Sequence, residues 1–127
     1  MGKAAVVCPE PLAAEVGLRI FEKGGNAFDV MIAAAMAQGV VNPQMCGIAG
    51  HGGALLYHAK EGRFECFSFS TLSGSKAFPN AYEVVGPGLS VKDNANLFGY
   101  KSIVIPRSLR GLEEIHKKCG SLPWRDL

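Results

Sequence analysis

The sequence has 127 residues, of which 48% are apolar and 19% charged, with a formal net charge of +2. This apolar fraction supports a hydrophobic core and excludes an intrinsically disordered chain. The small charge excludes the basic surface expected of a nucleic-acid-binding protein. A chain of this length forms one small domain or a piece of a larger one.

The N-terminal apolar run "AAVVC" is followed directly by Pro9, Glu10 and Pro11. This run is too short for the apolar core of a signal peptide, so we expect a cytoplasmic protein. The longest apolar run of the chain, "VMIAAAMA", is far shorter than the roughly 20 residues that cross a bilayer, so we expect no membrane partner.

The first predicted elements are a strand and a helix. The segment "KAAVVC", residues 3–8, predicts a short buried strand. Pro11 suits the first turn of a helix, and apolar residues recur at helical spacing through "PLAAEVGLRIFE". Gly24 and Gly25 predict the end of this helix, with one of them in the left-handed conformation.

Asn26 predicts the N-cap of a second helix, and Asp29 three residues later nearly completes a capping box. The segment "AFDVMIAAAMAQGV" follows, and between Val30 and Ala37 it has almost no polar face. A helix that is apolar all round must be buried on several sides. We therefore expect a larger protein around this helix.

A glycine-rich turn, "NPQMCGIAGHGG", precedes a predicted β-hairpin. Its strands are residues 54–59 and 64–69, joined by the turn "KEGR". Alternation along the second strand predicts that Glu65, Phe67 and Phe69 share one face.

Residues 70–101 are polar, rich in glycine and weakly patterned, which indicates a functional loop or missing structural context. The segment "SIVIP", residues 102–106, predicts another short strand. An amphipathic helix follows in "RSLRGLEEIHKKC", with Leu109, Leu112 and Ile115 predicted to face inward.

The last residues, "SLPWRDL", contain Pro123 where a further helix would open, and both Trp124 and Leu127 are apolar. We therefore expect the chain to be a piece of a longer one, truncated at Leu127.

Four cysteines lie far apart and form no Cys-x-x-Cys pair. We expect them to be reduced and mostly buried; they are Cys8, Cys46, Cys66 and Cys119.

The glycine-rich turn does not match the phosphate-binding loops. Gly50 and Gly52 lack the third glycine of the dinucleotide fingerprint, because Leu55 occupies its position, and Gly53 stands where a P-loop has lysine. Both motifs also run from strand to helix, whereas here a helix precedes the loop and a strand follows. A phosphate-binding function is therefore disfavoured.

A metal site is also disfavoured. Cys46, His51, His58 and Cys66 form a candidate ligand set, but their spacing matches no zinc pattern. We therefore predict no metal and no cofactor. His51, among glycines, is the best histidine candidate for a functional site, whereas His58 and His116 are interpreted as structural.

A serine nucleophile would need a Gly-x-Ser-x-Gly elbow, which the sequence does not contain. Thr71, Ser73 and Ser75 in "TLSGSKAF" fit a polar turn better. We therefore predict no catalytic residue in this chain.

Two segments together resemble gamma-glutamyltransferases. The segment "EKGGNAFDVMIAAAMAQGVVNPQMCGIAGHGGALLYHAKEGRFECFSF" is similar to the N-terminal part of their large subunit, which reads "GGNAvDAavA" and then "P…sGiGGGgF" before a hairpin. The segment "SIVIPRSLRGLEEIHKKCGSLPW" resembles the later "vPGtvaGl…a…yG.lpw". The resemblance covers nearly all of this chain but only the early part of the family's proenzyme, which implies that residues 1–127 are the N-terminal portion of one domain of the large subunit.

This resemblance implies an α+β (or α/β) fold that is part of the αββα four-layer sandwich of an N-terminal nucleophile hydrolase. Such proenzymes cleave themselves, and the new N-terminal threonine of the small subunit becomes the nucleophile, with its α-amino group as base. It attacks a γ-glutamyl amide, as in glutathione metabolism, and the acyl group passes to water or an amine.

The implied partners are the rest of the large subunit, the small catalytic subunit and a small-molecule amide substrate. Because the threonine lies outside this sequence, the 127-residue chain alone is expected to be inactive. Family members are often periplasmic or extracellular, which differs from the cytoplasmic location expected above.

The resemblance places the glycine stretch beside the active site, and this stretch contains Gly50, His51, Gly52 and Gly53. His51 stands where the family usually has another glycine. Arg107 likewise replaces the glycine that follows the family's proline.

The family's arginine that binds the substrate α-carboxylate is replaced here by Ser70, and the adjacent glutamate by Thr71. A hydroxyl cannot form the bidentate ion pair that a guanidinium forms with a carboxylate. One hypothesis is an amidase or acyltransferase of divergent acyl specificity, in which Ser70, Thr71 and Ser73 line the acyl pocket. The alternative is a truncated or degenerate paralogue with a structural or interaction role. A nucleotide- or metal-binding module is the weakest hypothesis.

Overall fold

The computed structural model describes residues 4–127, which divide into two compact units. The first unit comprises residues 4–70 and 106–127, and the second residues 71–105. No helix within residues 4–127 has the length and apolar character that a membrane crossing requires. The first unit contains three helices and one hairpin: α1 (Pro11–Glu22), α2 (Ala27–Val41), β1 (Gly53–His58), β2 (Arg63–Ser68) and α3 (Ser108–Cys119).

Helix α1 starts with Pro11 in its first turn, as the sequence predicts. After it the chain turns through Gly24, whose φ of 86° lies in the left-handed region that glycine adopts without strain. The Gly25 N–H donates to the Ile20 carbonyl at 2.9 Å. The predicted end of this helix is therefore confirmed.

The predicted capping box at the start of α2 is also confirmed. The Asn26 side-chain oxygen accepts from the backbone N–H groups of Phe28 at 2.8 Å and Asp29 at 3.1 Å. The Asp29 carboxylate accepts in return from the Asn26 N–H at 2.9 Å. These contacts satisfy donors that a helix N-terminus leaves without intrahelical partners.

The same two side chains also bind the segment that ends α3, more than 90 residues later. The Asn26 amide donates to the Cys119 carbonyl at 2.7 Å. The Ser121 N–H donates to the Asp29 carboxylate at 3.0 Å, and its hydroxyl donates to the same group. The Asp29 carboxylate at the centre of these contacts is fully buried.

Helix α2 packs against α1 through a cluster of Ile20, Val30 and Ala33. A second cluster joins α2 to the hairpin and α3. Burial of α2 is nevertheless incomplete, since Val40 remains 78% exposed. The second cluster consists of Ile32, Leu56, Phe69 and Ile115.

The hairpin is antiparallel, with Leu55 opposite Cys66. Phe69, directly after β2, is buried, and Phe67 is half-buried, whereas Phe64 is 65% exposed. The predicted alternation along this strand is therefore confirmed, although both strands begin and end one residue earlier than expected.

The second unit carries only short regular elements. They are the antiparallel pair β3 (Val84–Val85) and β4 (Ser90–Val91) and two 3-10 turns, Lys92–Asn94 and Tyr100–Ser102. The Tyr82 hydroxyl donates to the Lys101 carbonyl at 2.6 Å. The expectation of a weakly structured segment is confirmed, while its proposed role as a functional loop stays a prediction.

Two predicted strands are wrong. Of the strand predicted at residues 3–8, Lys3 lies outside the described residues. Residues 4–8 form no strand, because no described residue pairs with them through backbone hydrogen bonds. In "SIVIP", Ser102 ends a 3-10 turn, and only Ile105 pairs, in an isolated bridge to Leu72. A β-strand needs a hydrogen-bonded neighbour along its length, which neither segment has among the described residues.

Two expectations about burial are also wrong. None of the four cysteines is fully buried, and Cys66 is exposed because it lies on the outer face of the hairpin. Leu109, expected to face inward, is 42% exposed in the first turn of α3, whereas Ile115 is fully buried.

We predict that Asp29→Asn lowers the free energy of unfolding at pH 7 by about 2–3 kcal/mol, because hydrogen bonds to a buried charge are lost. Burial alone raises the pKa of Asp29, but hydrogen bonds from Ser121 and Asn26 outweigh it and hold the pKa below its usual value. The stabilisation is therefore present above the unfolded pKa of about 3.9 and is lost as pH falls through the lower folded pKa.

Urea unfolding of both proteins between pH 7 and pH 3 measures this effect, with Asp126→Asn at an exposed position as control. The difference between wild type and Asp29→Asn should shrink below about pH 4. A difference that is constant across this range would show that the Asp29 charge contributes nothing.

Candidate functional site

The glycine-rich loop between α2 and β1 is attached to the first turn of α3. The Gly50 carbonyl accepts from the N–H groups of Arg107 at 3.1 Å and Ser108 at 3.2 Å. The Ser108 hydroxyl lies 2.7 Å from the Ile48 carbonyl and 3.3 Å from that of Gly47. The position of α3 therefore fixes the shape of this loop.

The ring of Phe69 explains two of the glycines. A Cβ atom on Gly111 would overlap this ring, and one on Gly52 would lie 2.7 Å from its Cε2 atom. Both added atoms would be closer to the ring than ordinary van der Waals contact allows. Glycine is needed at both positions because the aromatic ring packs directly against the backbone of the loop and of α3.

A cavity of about 390 Å³ lies beside the glycine loop, between α2 and α3. Its lining is mostly apolar and includes Met31, Met36 and Cys46, together with the exposed His51. The side-chain oxygen of Gln38 is buried in this region and has no hydrogen-bond partner among the described residues.

Sequence reasoning did not single out Gln38. It is the one polar side chain of α2 after Asp29. This isolation in an otherwise apolar helix was the available signal.

The residues predicted to line an acyl pocket lie in different units. Ser70 ends the first segment of the first unit, is exposed, and has its hydroxyl 3.3 Å from that of Ser68. Thr71, which is half-buried, and Ser73, which is exposed, belong to the second unit. Of the glycine stretch, Gly50, His51 and Gly53 line the cavity; Gly52 packs against Phe69.

The other two histidines make structural contacts. The His58 Nε2 lies 3.2 Å from the Glu65 carboxylate, and its ring centroid lies 5.4 Å from that of Phe28. The His116 Nε2 lies 2.7 Å from the Leu122 carbonyl, beside the Trp124 ring. No three His, Cys, Asp or Glu side chains within residues 4–127 converge as a metal-ligand set.

Comparison with known proteins identifies relatives along almost the whole chain. The family model described as gamma-glutamyltranspeptidase matches residues 13–127. The Acylase ACY 1 proenzyme of a Pseudomonas species is 32% identical over 98% of this chain, which spans 23% of that relative. The glutathione hydrolase proenzyme of Pseudomonas aeruginosa is also 32% identical, over 97% of this chain and 21% of its own length.

A solved structure has the same fold. The gamma-glutamyltranspeptidase from Pseudomonas nitroreducens, complexed with L-DON, matches with a TM-score of 0.86 and 29% identity. The match covers 99% of this chain and 36% of that chain. This likeness confirms the mixed α+β class that the sequence predicts.

We predict that Gly111→Ala lowers the free energy of unfolding by about 1–3 kcal/mol, because the new methyl group displaces the Phe69 ring. Alanine is otherwise the better helix former, so the matched change Gly39→Ala in α2, where a Cβ atom meets only ordinary contacts, should not destabilise. Chemical denaturation of the variants measures both effects. In a Phe69→Ala background the Gly111→Ala penalty should vanish; a penalty that persists would contradict the packing explanation.

Proposed function

This chain belongs to the gamma-glutamyltranspeptidase family, and we propose that it is the N-terminal portion of the large subunit of an N-terminal nucleophile hydrolase. The complete enzyme cleaves a γ-glutamyl or related acyl amide and transfers the acyl group to water or to an amine. The nucleophile is a threonine at the N-terminus of the small subunit, with its own α-amino group as base. In this proposal, residues 1–127 supply no catalytic residue.

Exposed apolar groups near the end of α2 support a place within a longer protein. Val40 and Met45 are each 78% exposed and Ile48 is 68% exposed, so several large apolar side chains near the glycine loop are open to contact. The side-chain oxygens of Gln38 and Asn42 are buried without a hydrogen-bond partner among residues 4–127. Such groups are costly unless satisfied, and the remaining subunit segments would cover this surface.

Ser70 is the residue that supports a divergent specificity for the acyl donor. The resemblance places the carboxylate-binding arginine at this position, and a serine hydroxyl supplies only neutral hydrogen bonds, which are about half as strong as charge-assisted ones. The acyl donor is therefore not held by a guanidinium at position 70. Relatives named as an acylase and as a glutathione hydrolase are equally identical to this chain, so identity does not select between these acyl classes.

The resemblance to the family is what supports Ser70, Thr71 and Ser73 as residues that contact the acyl group. It likewise supports a place beside the reacting centre for the loop with Gly50, His51, Gly52 and Gly53. The same serine at position 70 is also what a non-catalytic paralogue would carry. Whether the proenzyme cleaves itself distinguishes an active hydrolase from a non-catalytic paralogue.

We predict that the protein produced from its full-length gene appears as two fragments, because the proenzyme cleaves its own backbone at the catalytic threonine. Intact-mass measurement and N-terminal sequencing should find the smaller fragment beginning with threonine. Substitution of that threonine by alanine is the control and should leave a single chain. A single unprocessed wild-type chain would contradict the enzyme and favour the non-catalytic paralogue.

A further inference from the structure

A second cavity, of about 240 Å³, lies within the first unit between α3 and the end of β2. Its volume is below the roughly 300–1,000 Å³ of pockets for drug-sized ligands, which suits a small group. Three of its lining side chains are cationic and one is a carboxylate. The cations are Arg107, Arg110 and Lys118, and the carboxylate is Glu114.

Two of these charged groups already have partners. The Lys118 ammonium lies 2.9 Å from the Glu65 carboxylate, which lowers the pKa of Glu65. The Glu114 carboxylate lies 3.3 Å from the Lys117 ammonium. Lys118 therefore has an ion-pair partner, whereas Glu114 shares the Lys117 ammonium with Glu113 and is only partly neutralised.

The two arginines have no such partner. Within residues 4–127, no carboxylate lies within 4.0 Å of the Arg107 or Arg110 guanidinium. Glu113, three residues after Arg110, pairs with Lys117 at 2.8 Å instead. The cavity is thus lined by two arginines without an ion-pair partner within that distance, although the Glu113 carboxylate attracts Arg110 at longer range. Arg107 is half-buried.

The cavity adjoins the position where the family's arginine is missing. Ser68 lines the cavity, and its hydroxyl lies 3.3 Å from that of Ser70. The end of β2, where position 70 carries no arginine, therefore lies next to a cavity that is lined by Arg107 and Arg110.

We propose that Arg107 and Arg110 bind a carboxylate at the far end of the acyl donor and replace the arginine that is absent at position 70. A guanidinium binds a carboxylate through parallel, charge-assisted hydrogen bonds. The first turn of α3 adds its positive helix-dipole end. The ligand class is a short acyl group that ends in a carboxylate, such as glutaryl or γ-glutamyl; this inference rests on the proposed hydrolase function.

The test uses the enzyme produced from its full-length gene and two p-nitroanilides that differ at one group. Glutaryl p-nitroanilide has a terminal carboxylate, and pentanoyl p-nitroanilide has a methyl group in its place. The double variant Arg107→Ala/Arg110→Ala should lower kcat/KM for the glutaryl amide about 100-fold, mainly through KM, at about tenfold for each charge-assisted contact. Hydrolysis of the pentanoyl amide should be unchanged. Arg125→Ala, whose side chain is 87% exposed, is the matched control.

A binding experiment separates this proposal from the proposed function. Calorimetric titration with glutarate needs no catalytic activity, and the double variant should bind it at least tenfold more weakly than wild type. Glutarate binding that depends on the arginines, without hydrolysis of either amide, would overturn the hydrolase and leave the carboxylate site standing.

Two results would overturn the site itself. One is glutarate binding and amide preference that are the same in wild type and double variant, including absence of both in wild type. The other is an equal loss on both amides with a lowered thermal midpoint, because the arginines would then pair with a carboxylate elsewhere in the protein and stabilise its fold.

Discussion

The buried carboxylate of Asp29 is the interaction on which the rest of the first unit depends. It accepts hydrogen bonds from Asn26 and Ser121 and so joins the start of α2 to the segment that ends α3. Because α3 is held in this way, its first turn can bind the glycine loop through the Gly50 carbonyl. The same turn carries Arg107 toward the cavity at the end of β2. The Asp29 contacts at the C-terminal end of α3 therefore help to position the proposed site at the N-terminal end of the same helix.

The glycine loop packs closely against the aromatic ring of Phe69. Phe69 follows β2 and lies between the backbones at Gly52 and Gly111, where a side chain on either glycine would collide with it. This packing brings the loop, the hairpin and α3 to one place. It also leaves Ser70, the next residue, exposed at the strand end, beside the pocket that α3 lines with cations. The packing around Phe69 and the proposed carboxylate site therefore lie next to each other.

Local signals in the sequence predicted much of the fold, because the physics behind them is local. The capping box of Asn26 and Asp29 and the alternation along β2 each depend on residues a few positions apart. The strand predicted at residues 3–8 is absent from residues 4–8, because strand formation depends on a neighbour that the local pattern does not specify. The cavity at Arg107 was beyond sequence reasoning for a related reason: it is made by residues about 40 positions apart, which only the fold brings together.

In the proposed site, arginines at the start of α3 bind the carboxylate of the acyl donor, and position 70 does not. A crystal structure of the processed protein with glutarate tests this most directly. We expect one glutarate carboxylate within hydrogen-bonding distance of the Arg107 and Arg110 guanidinium groups, beside Ser68. Glutarate bound elsewhere, or both arginines paired with carboxylates from another part of the protein, would contradict it.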